Sequence, residues 1–311
     1  MRAISKAFPG VVALDRAELT AYFGRVTALV GANGAGKSTL MNILGGIVAR
    51  ESGEIIVAGQ EAALRTPIES LQVGIGFVQQ ELNSLPTMSI SENIFIDAFP
   101  LKFGGIDYKE CDRRSQVLLQ RLGAKLDPSA TVGELSVGDR QLVEIARALR
   151  RDPKLLIFDE PTSSLSRRER ERLFEVIRGL RMEGVAIIYI SHFLDEIFEI
   201  SDDLAVMRNG RTVFSGGISS LNERELVRHM MGARENEAPL QKRRPVGATE
   251  LLRIEGLSRG DVLRDVTLTL KAGRSWAYGV CLEPVGRNCF ARLSASIRST
   301  LACCHGTKRD V

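Results

Sequence analysis

The residues best equipped for chemistry sit in one short run, Gly31-Ala-Asn33-Gly34-Ala35-Gly36-Lys37-Ser38-Thr39, between apolar Thr27-Ala-Leu-Val30 and Leu40-Met-Asn-Ile-Leu44. The spacing is G-x-x-x-x-G-K-[ST], an apolar strand entering a glycine-rich turn and then a helix. Backbone free of side chains curls so that successive N–H groups point inward at phosphate oxygens, and the positive end of the helix aims at the same place. Lys37 then reaches the β- and γ-phosphates of a nucleotide, and Ser38 offers its hydroxyl to Mg²⁺. Read as a plain strand-to-helix turn, the run would leave a lysine and two hydroxyls at a helix start with nothing to bind.

A phosphate loop alone leaves kinases, GTPases and ATPases open. A second element narrows the choice. Leu155-Leu-Ile-Phe158-Asp159-Glu160-Pro161-Thr162 closes an apolar strand with two carboxylates, at the sheet edge where ligands bind in doubly wound folds. Asp159 is placed to hold Mg²⁺ through its water shell. Glu160 is placed to take a proton from, or orient, the water that attacks the γ-phosphorus. Adjacent acids at a strand end are commonly just solvated; together with the Lys37 loop they read as its partners.

The elements that must position these groups follow an α/β pattern. Over the first 230 residues apolar strands (Glu54–Gly59, Ile75–Gln79, Lys154–Phe158, Gly184–Ile190) alternate with amphipathic helical stretches, which predicts a largely parallel sheet. Between Pro86 and Arg150 helical spacing dominates, as in Cys111–Leu122 and Gln141–Leu149, and predicts a helical insertion. The chain has 311 residues, 44% hydrophobic and 26% charged, a globular composition with length for two domains at roughly 100 to 200 residues each. No apolar run approaches the roughly 20 residues that cross a bilayer, and no signal-peptide core opens the chain, so a cytoplasmic location is the expectation.

The net charge of +4, from 42 basic and 38 acidic side chains, gives no footprint for nucleic acid. Arg167, Arg168, Arg170 and Arg172 alternate with Glu169 and Glu171, as a solvated helix face does. Five cysteines, two of them the adjacent Cys303 and Cys304, spell neither a disulfide framework nor a zinc site.

Between the two nucleotide elements lies Leu135-Ser136-Val137-Gly138-Asp139-Arg140-Gln141, running into the helical stretch Leu142–Leu149. Here the chain resembles the ATP-binding subunits of ABC transporters, whose signature is usually written LSGGQ. Val137 and Asp139 depart from that form, and LSVGD is similar to the carbohydrate importers of the ribose, galactose and xylose type. Ser5–Val11, Gly76–Asn83, Ser91–Ile96 and Ile190–Phe198 resemble the same branch, so the likeness runs over about residues 1 to 273. It implies a P-loop NTPase (RecA-like) core in a nucleotide-binding domain at 1–232. Within that domain it implies a helical subdomain at about 86–150 and an antiparallel β subdomain.

The resemblance also assigns roles. Ser136, Val137, Gly138 and Asp139 would face the γ-phosphate of ATP held on the opposite nucleotide-binding domain. Phe8 resembles the aromatic that stacks on adenine, for which any π-face serves. Gln80, with Gln79 beside it, matches the glutamine that looks toward Mg²⁺ and the attacking water. His192 matches the switch histidine that contacts the γ-phosphate. Ser164-Leu165-Ser166 takes the place of a loop in which the family usually has aspartate. The partners implied are a membrane permease, an external sugar-binding protein and a second nucleotide-binding domain, at the cytoplasmic face of the inner membrane.

Family members of this type usually carry two nucleotide-binding domains. A linker at 233–248 leads here to Leu251–Ser258 and Val262–Gly273, which read as the opening strands of a second. From Arg274 the patterns collapse, and four cysteines and the single tryptophan, Trp276, appear. Codons compatible with 274–291, read one nucleotide out of phase, spell a string similar to the family's degenerate second phosphate loop, so the expectation is a frameshifted tail over 274–311. Three functions stay open: an importer ATPase that pairs as a homodimer or with a full-length partner, an ATP-binding remnant of a decayed gene, and a soluble ABC-type ATPase outside transport. The last should show long coiled coils or strongly basic insertions, and the sequence has neither.

Overall fold

Five consecutive buried residues form β3 (Val26–Val30), and five more form β11 (Ala186–Ile190). Such runs suit strands covered on both faces. A computed structural model describes residues 1–79, 83–232, 250–259 and 263–271. The chain divides into two units, Met1–Asn236 and Glu237–Val311.

The first unit opens with β1 (Arg2–Phe8) and β2 (Val11–Ala17), an antiparallel pair joined across Pro9 and Gly10, and β1 also pairs with β4 (Ser52–Glu54). Two short hairpins follow the same chain: β5 (Ile56–Val57) with β6 (Gln60–Glu61), and β8 (Leu101–Lys102) with β9 (Gly105–Ile106). The main sheet has six strands. In it β7 (Ile75–Val78), β10 (Leu155–Asp159), β11, β3 and β12 (Asp203–Arg208) run parallel, and β13 (Arg211–Gly217) closes one edge antiparallel. Strand order across the sheet is β13-β12-β3-β11-β10-β7.

Alternation along the strands sends side chains to both faces of the sheet, and the core falls into three clusters, one of them around Ala28, Val30, Leu204, Val206 and Leu226. Leu156, Phe158, Ile187 and Tyr189 pack with α5 (Val137–Leu149) and α6 (Arg167–Met182), while Leu29, Ile157, Ile188 and Ile190 pack with α1 (Lys37–Leu44) and with Ile4 and Leu14 of the antiparallel sheet. Period-two side-chain direction makes this division unavoidable once the strands pair in this register. Phe174 meets Tyr189 edge-on at 6.2 Å.

The remaining helices are α2 (Pro67–Gln72), α3 (Ile90–Phe95), α4 (Tyr108–Arg121), α7 (Leu194–Ile200) and α8 (Glu223–Met231). Capping boxes start α2, α3, α6 and α8, each with a Thr, Ser or Asn side chain accepting from the backbone of a Glu three residues on, which satisfies amides a helix start leaves orphaned. The expected insertion contains α3, α4 and α5, with the hairpin of β8 and β9 between them. Its signature helix begins at Val137 rather than near Gln141, because Ser136 accepts from the Asp139 N–H at 3.1 Å and so serves as the N-cap.

In the second unit β14 (Glu250–Arg259) and β15 (Leu263–Lys271) pair antiparallel, with Ile254 opposite Leu268. The linker expected at 233–248 and the tail at 274–311 lie outside the described residues. Among the described residues no helix is long and apolar enough to cross a membrane.

Candidate functional site

Three loops leave the same edge of the main sheet, because parallel register aligns the strand ends: Leu29 lies opposite Ile190, and Ile190 opposite Asp159. From β3 the chain enters Gly31–Gly36, from β10 it enters Glu160–Ser166, and from β11 it enters Ser191–Phe193.

The glycine loop is shaped by what surrounds it. A Cβ on Gly31 would lie 2.4 Å from the Met207 carbonyl oxygen on β12, and one on Gly36 would lie 2.8 Å from the Ala13 carbonyl oxygen. Gly36 also sits at φ +103, a region open mainly to glycine. Asn33, Gly34 and Ser38 are exposed, Ala35 is buried, and Thr39 is half-buried. Gly36 starts α1 without any side-chain cap.

Lys37 Nζ donates to the carbonyls of Gly31 at 2.7 Å and Ala32 at 3.3 Å. Burial pushes its ammonium below the usual lysine range, opposed by the charges of Glu160 and Asp159. Asp159 is pushed above the usual carboxylate range by burial first and then by the Glu160 charge, with Lys37 opposing. The two carboxylates at the end of β10 and the Ser38 hydroxyl in the first turn of α1 are hard-oxygen donors of the kind Mg²⁺ takes. That ion commonly takes one or two carboxylates and completes its shell with water and substrate phosphates. Among the described residues no cluster of three or more His, Cys, Asp or Glu competes for such an ion.

Glu160 adopts φ +47, in the left-handed region, at a cost of order 1–3 kcal/mol for a non-glycine residue. Its N–H donates to Ile190 O at 2.9 Å, and its Oε2 lies 3.3 Å from His192 Nδ1. The His192 ring packs on Phe193 with centroids 4.1 Å apart. The structure therefore brings Lys37, Asp159, Glu160 and His192 to one edge.

Other expected residues lie elsewhere. Phe8 ends β1 and is 43% exposed, with Lys6 Nζ 5.4 Å from its ring centroid, so its face is not spent on the core. Gln79 accepts from Asn83 Nδ2 at 2.6 Å, while Gln80 lies outside the described residues. A groove of about 450 Å³ is lined by Asn42, Phe77, Gln79, Asp97, Arg147 and Asp159. It joins Asp159 to the helical insertion.

The signature occupies the first turn of α5, and among the described residues no hydrogen bond links it to the glycine loop. Ser136 Oγ approaches Asp139 Oδ2 at 3.0 Å, and Arg172 donates to Asp139 Oδ1 at 2.9 Å. The Gly138 N–H donates to Glu169 Oε1 at 2.9 Å. Burial raises the Glu169 carboxyl, but hydrogen bonds from Ser166, Gly138 and Ser136 outweigh it and hold that carboxyl below its usual range. The arginine run on α6 is thus only partly a solvated face: Arg170 pairs with Asp195 and Arg172 with Asp139. Sequence spacing missed these links because each partner comes from a different element.

Residues 14–163 match the family described as ABC transporter. The ribose import ATP-binding protein RbsA 1 of Rubrobacter xylanophilus is 44% identical over 274 residues, covering 88% of this chain and 54% of that protein. A putative ribose/galactose/methyl galactoside import ATP-binding protein of Agrobacterium fabrum is 43% identical over 271 residues, covering 87% of this chain and 53% of that one. The chain thus spans about half the length of these curated relatives. Among solved structures, a nucleotide-free ATP-binding cassette from an ABC transporter is 27% identical with a TM-score of 0.65, covering 74% of this chain and 97% of that one. The ADP conformation of another ATP-binding cassette is 28% identical with a TM-score of 0.64, covering 73% and 92%.

Proposed function

We propose, from the match of residues 14–163 to the ABC transporter family, that this chain binds ATP with Mg²⁺ and hydrolyses it to energise import of a monosaccharide through a membrane permease. The observation that carries the reading is the meeting of Lys37, Asp159, Glu160 and His192 at the ends of adjacent parallel strands, with His192 Nδ1 3.3 Å from Glu160 Oε2.

Each group has a task its position suits. Phe8 stacks on adenine. The amides of Gly31 to Thr39 and the Lys37 ammonium hold the phosphates, and Ser38, Asp159 and Gln80 hold Mg²⁺. Glu160 takes the proton of the attacking water as its oxygen bonds to the γ-phosphorus and the β–γ bridging bond breaks, the electron pair leaving with ADP. His192 steadies Glu160 and the charge that develops on the γ-phosphoryl group.

Ser136, Val137, Gly138 and Asp139 close on a nucleotide held by a second nucleotide-binding domain, from another copy or a longer partner, in a head-to-tail pair. Closure passes through the Gln80 region and the groove beside Asp97 and Arg147 to the permease, on the cytoplasmic face of the membrane. A sugar-binding protein outside delivers the cargo.

Titrating the purified chain with ATP, and following phosphate release against chain concentration with Glu160→Gln as control, tests this. ATP binds at every concentration, and the rate per chain climbs as chains pair or as permease vesicles are added. A fast rate independent of concentration would refute the paired site. Binding with no turnover under any condition would select an ATP-binding remnant.

A further inference from the structure

Thr162, Tyr189 and Ser191 belong to two different strand-and-loop segments, yet their hydroxyls converge on one atom. That atom is Oε2 of Glu196 on α7, a side chain only 2% exposed. Thr162 Oγ1, Tyr189 OH and Ser191 Oγ each donate to it at 2.9 Å. The other carboxylate oxygen, Oε1, faces Arg170 at 3.6 Å, and Arg170 also donates to Asp195 at 3.2 Å. A buried carboxylate is tolerated when it is paired and hydrogen-bonded, and a network satisfied in this way holds one geometry rather than several. Burial, and then the Glu196 charge, push the Tyr189 hydroxyl up, which keeps its proton in place for donation.

The partners of Glu196 are neighbours of the reacting pair. Thr162 is two residues beyond Glu160, and its carbonyl accepts from Leu165 N–H to close that loop. Ser191 precedes His192, and its Oγ also accepts from Phe193 N–H at 3.0 Å, folding the turn around the imidazole. Glu160 holds a strained φ of +47, a state that persists only where its surroundings over-determine it. We propose that Glu196 is a positioning residue: one buried carboxylate ties the loop after β10 to the loop after β11 and so sets the 3.3 Å approach of His192 to Glu160. Glutamine at this position would offer a single acceptor oxygen and a donor amide, which cannot serve three hydroxyl donors and an arginine together.

The catalytic part of this proposal rests on the ATPase reading above; the positional part does not. The experiment uses the full chain labelled on its histidines, of which there are three, His192, His229 and His305. In the parent, Glu160→Gln displaces the His192 ring resonances. In Glu196→Gln the same second change displaces them less than half as far, ATP affinity stays within about twofold, and kcat falls roughly ten- to a hundredfold with KM nearly unchanged, as for a misplaced reacting group. A role in stability alone would lower the melting temperature and leave the His192 response intact. If Glu196→Gln does not fold, Ser191→Ala, which removes one donor, decides by the same readouts. A folded variant that binds ATP, keeps the full His192 response and keeps its kcat overturns the proposal. If the parent chain hydrolyses no ATP, the ATPase reading fails, and the ring resonances still decide the positional one.

Discussion

Two helix N-termini in the first unit are capped in opposite ways. At α1 the N-cap is Gly36, with φ +103 and no side-chain cap, and among the described residues no side chain accepts from its first amides. At α5 the N-cap is Ser136, which caps Asp139, while the Gly138 N–H is taken by Glu169 from α6. Helix N-termini carry partial positive charge in both cases. The difference lies in what already answers it. The loop at α1 leaves its amides without a side-chain cap, with Lys37 under the charges of Glu160 and Asp159; the start of α5 has Arg172 on Asp139 and a carboxylate on its glycine amide. One region gathers charged groups from several strands and loops, and the other has its donors occupied by side chains of α5 and α6.

Breaking the chemical side should have the largest effect. Glu160→Gln lowers ATP turnover on the order of 10²- to 10⁴-fold while nucleotide binding persists, as steady-state rates and equilibrium binding will report. Lys37→Ala weakens ATP binding by roughly 10- to 100-fold, the loss of a charge-assisted contact, measurable by calorimetry. On the other side, Glu169→Ala removes the capping box of α6 and costs about 1 kcal/mol in chemical denaturation, with ATP affinity at the glycine loop unchanged. An equal loss of ATP affinity would erase the contrast between the two helix starts.

The smallest effect concerns Asp159. Its carboxyl is raised in the folded protein, so the folded state disfavours its charge. That penalty is complete above the raised value and vanishes below the ordinary carboxylate range. Asp159→Asn therefore stabilises the nucleotide-free protein at neutral pH, and the gain fades as the pH falls through that range. Melting curves across pH will show it, and a gain that grew toward acid would contradict the assignment.

Much of the chemical side was legible from residue order. The continuous apolar runs at Thr27–Val30 and Leu155–Phe158 mark buried strands, and G-x-x-x-x-G-K-[ST] needs no distant partner to be read. The expected strand at 154–158 appears one residue later, at Leu155–Asp159, and Asp159 is its last residue. Glu196 was not legible. In Leu194-Asp-Glu-Ile-Phe it looks like any acid on an amphipathic helix, and its burial follows from Tyr189 and Thr162 arriving from β11 and β10. Glu169 was hidden likewise, read as one of several alternating charges until α6 is laid beside Ser136. The pairing of β1 with β4, across more than forty residues, also leaves no local trace.

By itself the sequence determined the glycine loop, the acid pair, the signature and the alternation that puts strands between helices, because each is written in neighbouring residues under local steric and hydrogen-bonding rules. Tertiary structure alone decided the strand order, the approach of His192 to Glu160, the burial of Glu196 and the capture of the Gly138 amide by Glu169. Those depend on which faces meet when the core clusters close on either side of one sheet, and that is set by the packing of the whole domain.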